Sequence, residues 1–186
     1  MNTQWLSRVA VLFLLGSLVG LAQQPAPPPT APANPLGSDV RMAFEYLTNT
    51  IIASAEKMPA ENYAFKPVPE VRSFGQILGH IADAQYSMCA ALRGVSRPEI
   101  QVEKTKTAKA ELVAALNEAV AFCRPAYADF TDARAAETVK LFGEDHTRLG
   151  VLYFNNLHAV SHYGNLVTYM RMKGIVPPSS EPRPKK

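Results

Sequence analysis

The chain has 186 residues, of which 47% are hydrophobic, 19% charged and 9% aromatic, with a formal net charge of +3. That is enough for one domain with a sizeable core. It excludes a wholly disordered chain, a coiled-coil fibre and, with only Cys89 and Cys123, a disulfide-dense miniprotein. The positive excess sits at the two ends, in Arg8 and in the Arg183, Lys185 and Lys186 cluster, so the body is near neutral. Nucleic acid needs a concentrated basic stripe, and no nucleic-acid partner is expected.

Residues 1–22 read as an export signal. Arg8 supplies the charged start, Val9–Leu15 is an unbroken apolar run, and Gly20-Leu21-Ala22 places small residues for cleavage after Ala22. The apolar run is shorter than the roughly 20 residues a bilayer span needs, so no stable membrane span is expected once the leader is cut. The mature protein is expected to be exported, either periplasmic or secreted. Residues 23–37 hold six of the fifteen prolines and read as an extended linker. The folded unit is expected over 38–176, followed by a disordered tail at 177–186.

Four stretches within this unit repeat apolar residues at helical spacing, and none alternates convincingly as a strand. The first runs from about Asp39 to Lys57, with Val40, Phe44, Leu47, Ile51 and Ala55 on one stripe and Ser38 as N-cap. Proline-rich residues 59–72 form a loop. The second stretch opens with Ser73 and Gln76 at capping-box spacing, followed by Phe74, Ile77, Ile81, Met88 and Leu92. The third spans about Thr107 to Tyr127 and is expected to end early or distort at Pro125. Val139–Phe142 reads as a short apolar connector, and Glu144, Asp145 and His146 as a polar cluster complementing the next helix start. The fourth runs from a Thr147 cap to about Lys173, with Gly174 at its C′ position and Pro177–Pro178 beyond. Leu149, Leu152, Tyr153, Val160, Val167 and Met170 mark its core side, but Val151, Phe154 and Tyr169 make it apolar on other faces too. Such a helix is expected at the centre, and the fold class is all-α, a four-helix bundle.

The four histidines carry most of the chemical information. His158 and His162 lie one turn apart on one face of the fourth helix, a spacing that lets both imidazoles reach one divalent cation. Val151, Asn155, Asn165 and Tyr169 share that face. His80 sits on the flank of the second helix, and a third imidazole from a facing helix would leave coordination positions open, as catalytic metal sites do. The alternative from spacing alone is a set of buried, hydrogen-bonded histidines. Asp83, one turn from His80, is a candidate to orient a ligand imidazole, or else a solvated carboxylate. Cys89 lies on the opposite side of its helix from His80. It can face Cys123, either as a disulfide or as two buried thiols. No G-x-S-x-G elbow, phosphate-binding glycine loop or C-x-x-C pair is present.

The segments SFGQILGHIADAQYSM and LHAVSHYGNLVTYMRMKGIVPP, in this order and after a proline-rich loop, resemble the DinB-like (YfiT-like) family of bacterial four-helix metal proteins. The resemblance covers about Asp39 to Pro178. It implies an up-down-down-up bundle holding one divalent metal ion, zinc or nickel, through His80, His158 and His162. Asn165 stands where a glutamine is common in that family, and Asn155 and Asn165 are candidates for contacts behind the ligands. Arg171 matches an arginine near the end of the last helix and is read as structural. The resemblance further implies a homodimer and, for an enzyme, activation of water or a thiol against a small-molecule substrate. Low-molecular-weight thiols are chiefly cytosolic, so an exported chain weakens the thiol reading. A metal protein without catalysis, serving as a scaffold or dimerisation module, is the alternative.

Overall fold

The computed structural model describes residues 33–182. The leader at 1–22, the linker up to residue 32 and the last four residues lie outside them. Helix α1 spans Pro35–Lys57, so the last three residues read as linker are helical. Its start is not capped by Ser38. Pro35 occupies the first turn, where it lacks a donor that would be orphaned anyway. The backbone N–H groups of Leu36 and Gly37 donate instead to the Asp132 carboxylate at 3.1 and 2.9 Å, while Asn34 Oδ1 accepts from the Asp132 N–H. A cap supplied from about a hundred residues away leaves no local signature.

Helix α2 spans Phe74–Arg93 and opens with the expected capping box between Ser73 and Gln76. A four-residue helix, α3 (Val102–Thr105), precedes α4 (Lys109–Ala128). Pro125 lies inside α4 without ending it. It removes a single N–H near the end, and the helix closes three residues later through Asp129 N–H to Pro125 O. The expected connector is a hairpin: β1 (Thr138–Leu141) pairs antiparallel with β2 (Glu144–Thr147). Phe142 and Gly143 both take positive φ at its two-residue turn, the geometry that matches strand twist. Glu144, Asp145 and His146 are strand residues exposed to solvent, and Asp145 pairs with Lys140, so they do not cap the next helix. Helix α5 (Arg148–Met172) is capped by Thr147, whose hydroxyl accepts from the Gly150 N–H. At its end Gly174 has φ +71, and Gly174 and Ile175 N–H close on Arg171 and Met170 carbonyls.

Contacts between helix ends fix the topology. The Lys109 ammonium donates to the Glu56 and Met58 carbonyls, and Gly75 N–H reaches Tyr63 O just beyond α1. Both α2 and α4 therefore start where α1 ends. Arg148 donates to Leu92 O, so α5 starts where α2 ends. The order is up-down-down-up, with α2 packed on α4 and α5, and α1 packed on the same two helices. Apolar side chains fill the interior in two clusters. One surrounds Ile51, Phe74, Ile77, Leu112 and Leu166; the other surrounds Phe44, Leu92, Tyr127, Val151 and Leu152. Each fully buried Leu, Ile or Phe contributes about 1.5–3 kcal/mol.

Two expectations at the periphery need correction. Helix α5 is not enclosed: Tyr153, Phe154, Leu157 and Val160 face solvent, while Asn155 and Asn156 point inward. The tail is ordered as far as it is described. Pro178–Ser180 forms a 3-10 turn, the Tyr163 hydroxyl bonds Ser179, Arg171 donates to Ser180, and Lys57 pairs with Glu181. No described helix is long and apolar enough to cross a membrane.

Candidate metal centre

His80 on α2 and His158 and His162 on α5 converge near the end of the bundle where α2 begins. One ring nitrogen from each lies within 4.8 Å of the other two, and the ring centroids are 4.5–5.1 Å apart. The Nε2 atoms of His80 and His158 approach to 3.1 Å. Two ligands about 2.0–2.1 Å from a tetrahedral ion would be separated by roughly 3.3 Å. His162 Nδ1 is buried with no hydrogen-bond partner among the described residues. A buried imidazole nitrogen left without a partner in a cluster of three converging imidazoles fits a cation better than a purely hydrogen-bonded cluster.

Burial lowers the His158 pKa to about 4, with the neighbouring His162 and His80 adding to the effect, and Arg72 less. His162 is lowered for the same reason, burial first. Both imidazoles are therefore neutral at ordinary pH, the state in which nitrogen ligates a metal.

What stands behind His80 is Glu103, which the sequence reading did not single out. His80 Nδ1–H donates to Glu103 Oε2 at 3.1 Å, leaving Nε2 free to face the centre. The other carboxylate oxygen accepts from Arg72 Nε at 2.8 Å. Asp83, read as either an imidazole-orienting group or a solvated carboxylate, is neither and acts one step back. Its two oxygens accept from the Val102 and Glu103 N–H groups at 2.9 and 3.0 Å, capping α3. Gly79 lets α3 lie against α2, since a Cβ there would fall 2.6 Å from Glu103 Cα and 2.8 Å from its nitrogen. A glycine next to His80 in an apolar helix was the available signal, because glycine inside a helix commonly marks a close approach.

The remaining candidates separate. Asn165 lines the same cleft as His162 and Tyr169. Asn155 makes its hydrogen bonds elsewhere, from Nδ2 to Gln85 Oε1 and to the Tyr127 hydroxyl, both at 3.0 Å. Its own oxygen is unpartnered among the described residues. Cys89 and Cys123 are disulfide-bonded across α2 and α4, with Cα atoms 5.1 Å apart, and play no part in the histidine cluster.

The family model described as the DinB superfamily matches residues 43–166. Among solved structures, a DinB-like protein from Bacillus cereus is similar with a TM-score of 0.66 at 17% identity, covering 76% of this chain and 95% of that one. A DinB-like protein from Bacillus subtilis gives 0.56 at 20% identity, covering 73% and 92%. A conserved protein from Enterococcus faecalis gives 0.61 at 14% identity, covering 73% and 95%. At these identities the likeness is one of fold. No curated protein matches in sequence.

Proposed function

For a chain that belongs to the DinB superfamily, we propose a metal-dependent role in which His80, His158 and His162 hold one divalent cation, zinc or nickel, and leave coordination positions open to a small substrate. The observation that carries this reading is the convergence of one ring nitrogen from each of three imidazoles on two helices, with His162 Nδ1 unpartnered among the described residues. A divalent cation held there supplies Lewis acidity, lowering the pKa of a water or thiol entering an open position. The chain's own contribution is positional. Glu103 fixes the His80 tautomer, the buried walls keep His158 and His162 uncharged, and Arg72 offsets the charge of Glu103.

The Cys89–Cys123 disulfide supports export, since such bonds persist in oxidising compartments. Export in turn favours water over a cytosolic thiol as the activated group, and metal-assisted hydrolysis is the proposed reaction class. Elemental analysis of protein purified without a metal-binding tag tests the premise. Wild type is expected to carry about one metal ion per chain, and a His158→Ala/His162→Ala variant almost none. A wild type that stays metal-free after zinc and nickel are offered overturns the proposal.

A further inference from the structure

We propose that the substrate carries an oxyanion, a carboxylate or a phosphate, received by Arg72 and Lys66 at the mouth of the histidine centre. A cleft of about 560 Å³ is lined by His162, Asn165 and Tyr169 together with two cations, Lys66 and Arg72, and two carboxylates, Glu70 and Glu103. A second cleft, of about 720 Å³, shares Lys66, Arg72 and Glu103 and adds Lys104 and Lys106. The two hollows meet at the Arg72–Glu103 ion pair. Four cations therefore line the second hollow against a single carboxylate.

That carboxylate is already committed, one oxygen to His80 and the other to Arg72 Nε. The two terminal guanidinium nitrogens of Arg72 have no partner among the described residues. Lys104 and Lys106 have no ion pair among them, and the Lys66 ammonium reaches only the Pro69 carbonyl at 2.8 Å. The start of α2 does not account for the anion preference. Phe74 and Gly75 N–H already donate to Phe65 and Tyr63 carbonyls, so the side chains carry it. Unpaired cations beside partly apolar walls concentrate anions, and a guanidinium with its fork exposed matches the geometry of a carboxylate or phosphate. An oxyanion seated on Arg72 and Lys66 would leave the rest of a small molecule directed along the cleft toward His162.

This inference deepens the metal-centre reading and rests on it for where the reactive end lies, but the anion subsite belongs to the protein alone. Isothermal titration with inorganic phosphate and, separately, with succinate distinguishes the two anion sources. It is run on chelator-stripped and on zinc-loaded protein, with bound zinc measured in parallel. Stripped wild type is expected to bind at least one of the two. An Arg72→Gln/Lys66→Gln variant is expected to bind it about tenfold more weakly, and a Lys140→Gln control unchanged. Lys104→Gln/Lys106→Gln, which leaves the Arg72–Glu103 pair untouched, is expected to weaken binding by a smaller factor and serves if the first variant unfolds.

Binding seen only with zinc and unaffected by the double substitution makes the metal the receptor. That overturns the proposal and leaves the metal reading intact. Absence of binding in both forms also overturns it. Anion binding lost in the variant of a protein that takes up no zinc upholds the subsite and sinks the metal reading instead.

Discussion

At the scale of single residues, Glu103 decides how well His80 can serve as a ligand. Its carboxylate holds the imidazole in one tautomer, with Nε2 turned to the centre. Glu103→Gln keeps the shape but removes the charge, and the metal dissociation constant is expected to rise about 10–100-fold in a chelator competition. An unchanged constant with an intact fold would show that Glu103 serves only Arg72. His158 makes a second prediction. Burial holds its folded pKa at about 4 against an ordinary value of 6.5. Between these values the unfolded chain binds the additional proton, so stability rises with pH across that window. Chelator-stripped protein is expected to lose stability as pH falls from about 6.5 to about 4, while a His158→Asn variant shows a shallower slope in the same thermal melts. Equal slopes would remove the histidine from the account.

The element that positions this chemistry is a helix of only four residues. Helix α3 is too short to hold itself together, because a first turn fixes several dihedrals for few hydrogen bonds. Asp83 caps it from α2, and Gly79 provides the flat surface on which it rests. Gly79→Ala gains helix propensity locally, worth up to about 1 kcal/mol. It also forces a methyl into the α3 backbone, where no flexible side chain can yield. The net expectation is a destabilisation of about 1–3 kcal/mol in urea unfolding, together with weaker metal binding because Glu103 is pushed from His80. Stabilisation, with metal affinity preserved, would mean that α3 can shift without consequence.

For the molecule as a whole, the disulfide joins α2 to α4, which run in the same direction, across a separation of 34 residues. Closing a loop of that length restricts the unfolded chain, and removing the bond typically costs about 2–4 kcal/mol. A Cys89→Ala/Cys123→Ala variant is expected to unfold at a correspondingly lower urea concentration, and wild type to react with no alkylating reagent under denaturing, non-reducing conditions. Two titratable thiols in wild type would contradict the bond. Helix α2 carries both Cys89 and His80, but the two lie on opposite sides of it and α4 contributes no histidine, so loss of the disulfide should lower stability more than metal stoichiometry.

Strong local signals sufficed for the long helices and failed for the hairpin at 138–147, whose fully exposed second strand shows no apolar alternation. Periodic apolar residues gave the four long helices, the Ser73–Gln76 and Thr147 caps gave two helix starts, and the four-residue spacing of His158 and His162 placed both on one helix face. Each depends on residues within a turn or two of one another. The family resemblance tied His80 to that pair and added the up-down-down-up order. Tertiary structure alone decided the rest. Asp132 caps α1 from about a hundred residues away, and Tyr153 and Val160 turn outward while Asn155 turns inward. Glu103, not Asp83, backs His80, and Lys66 and Arg72 line one cleft with His162. These contacts join groups far apart in the chain, and no periodicity records which partner lies across a packed interface.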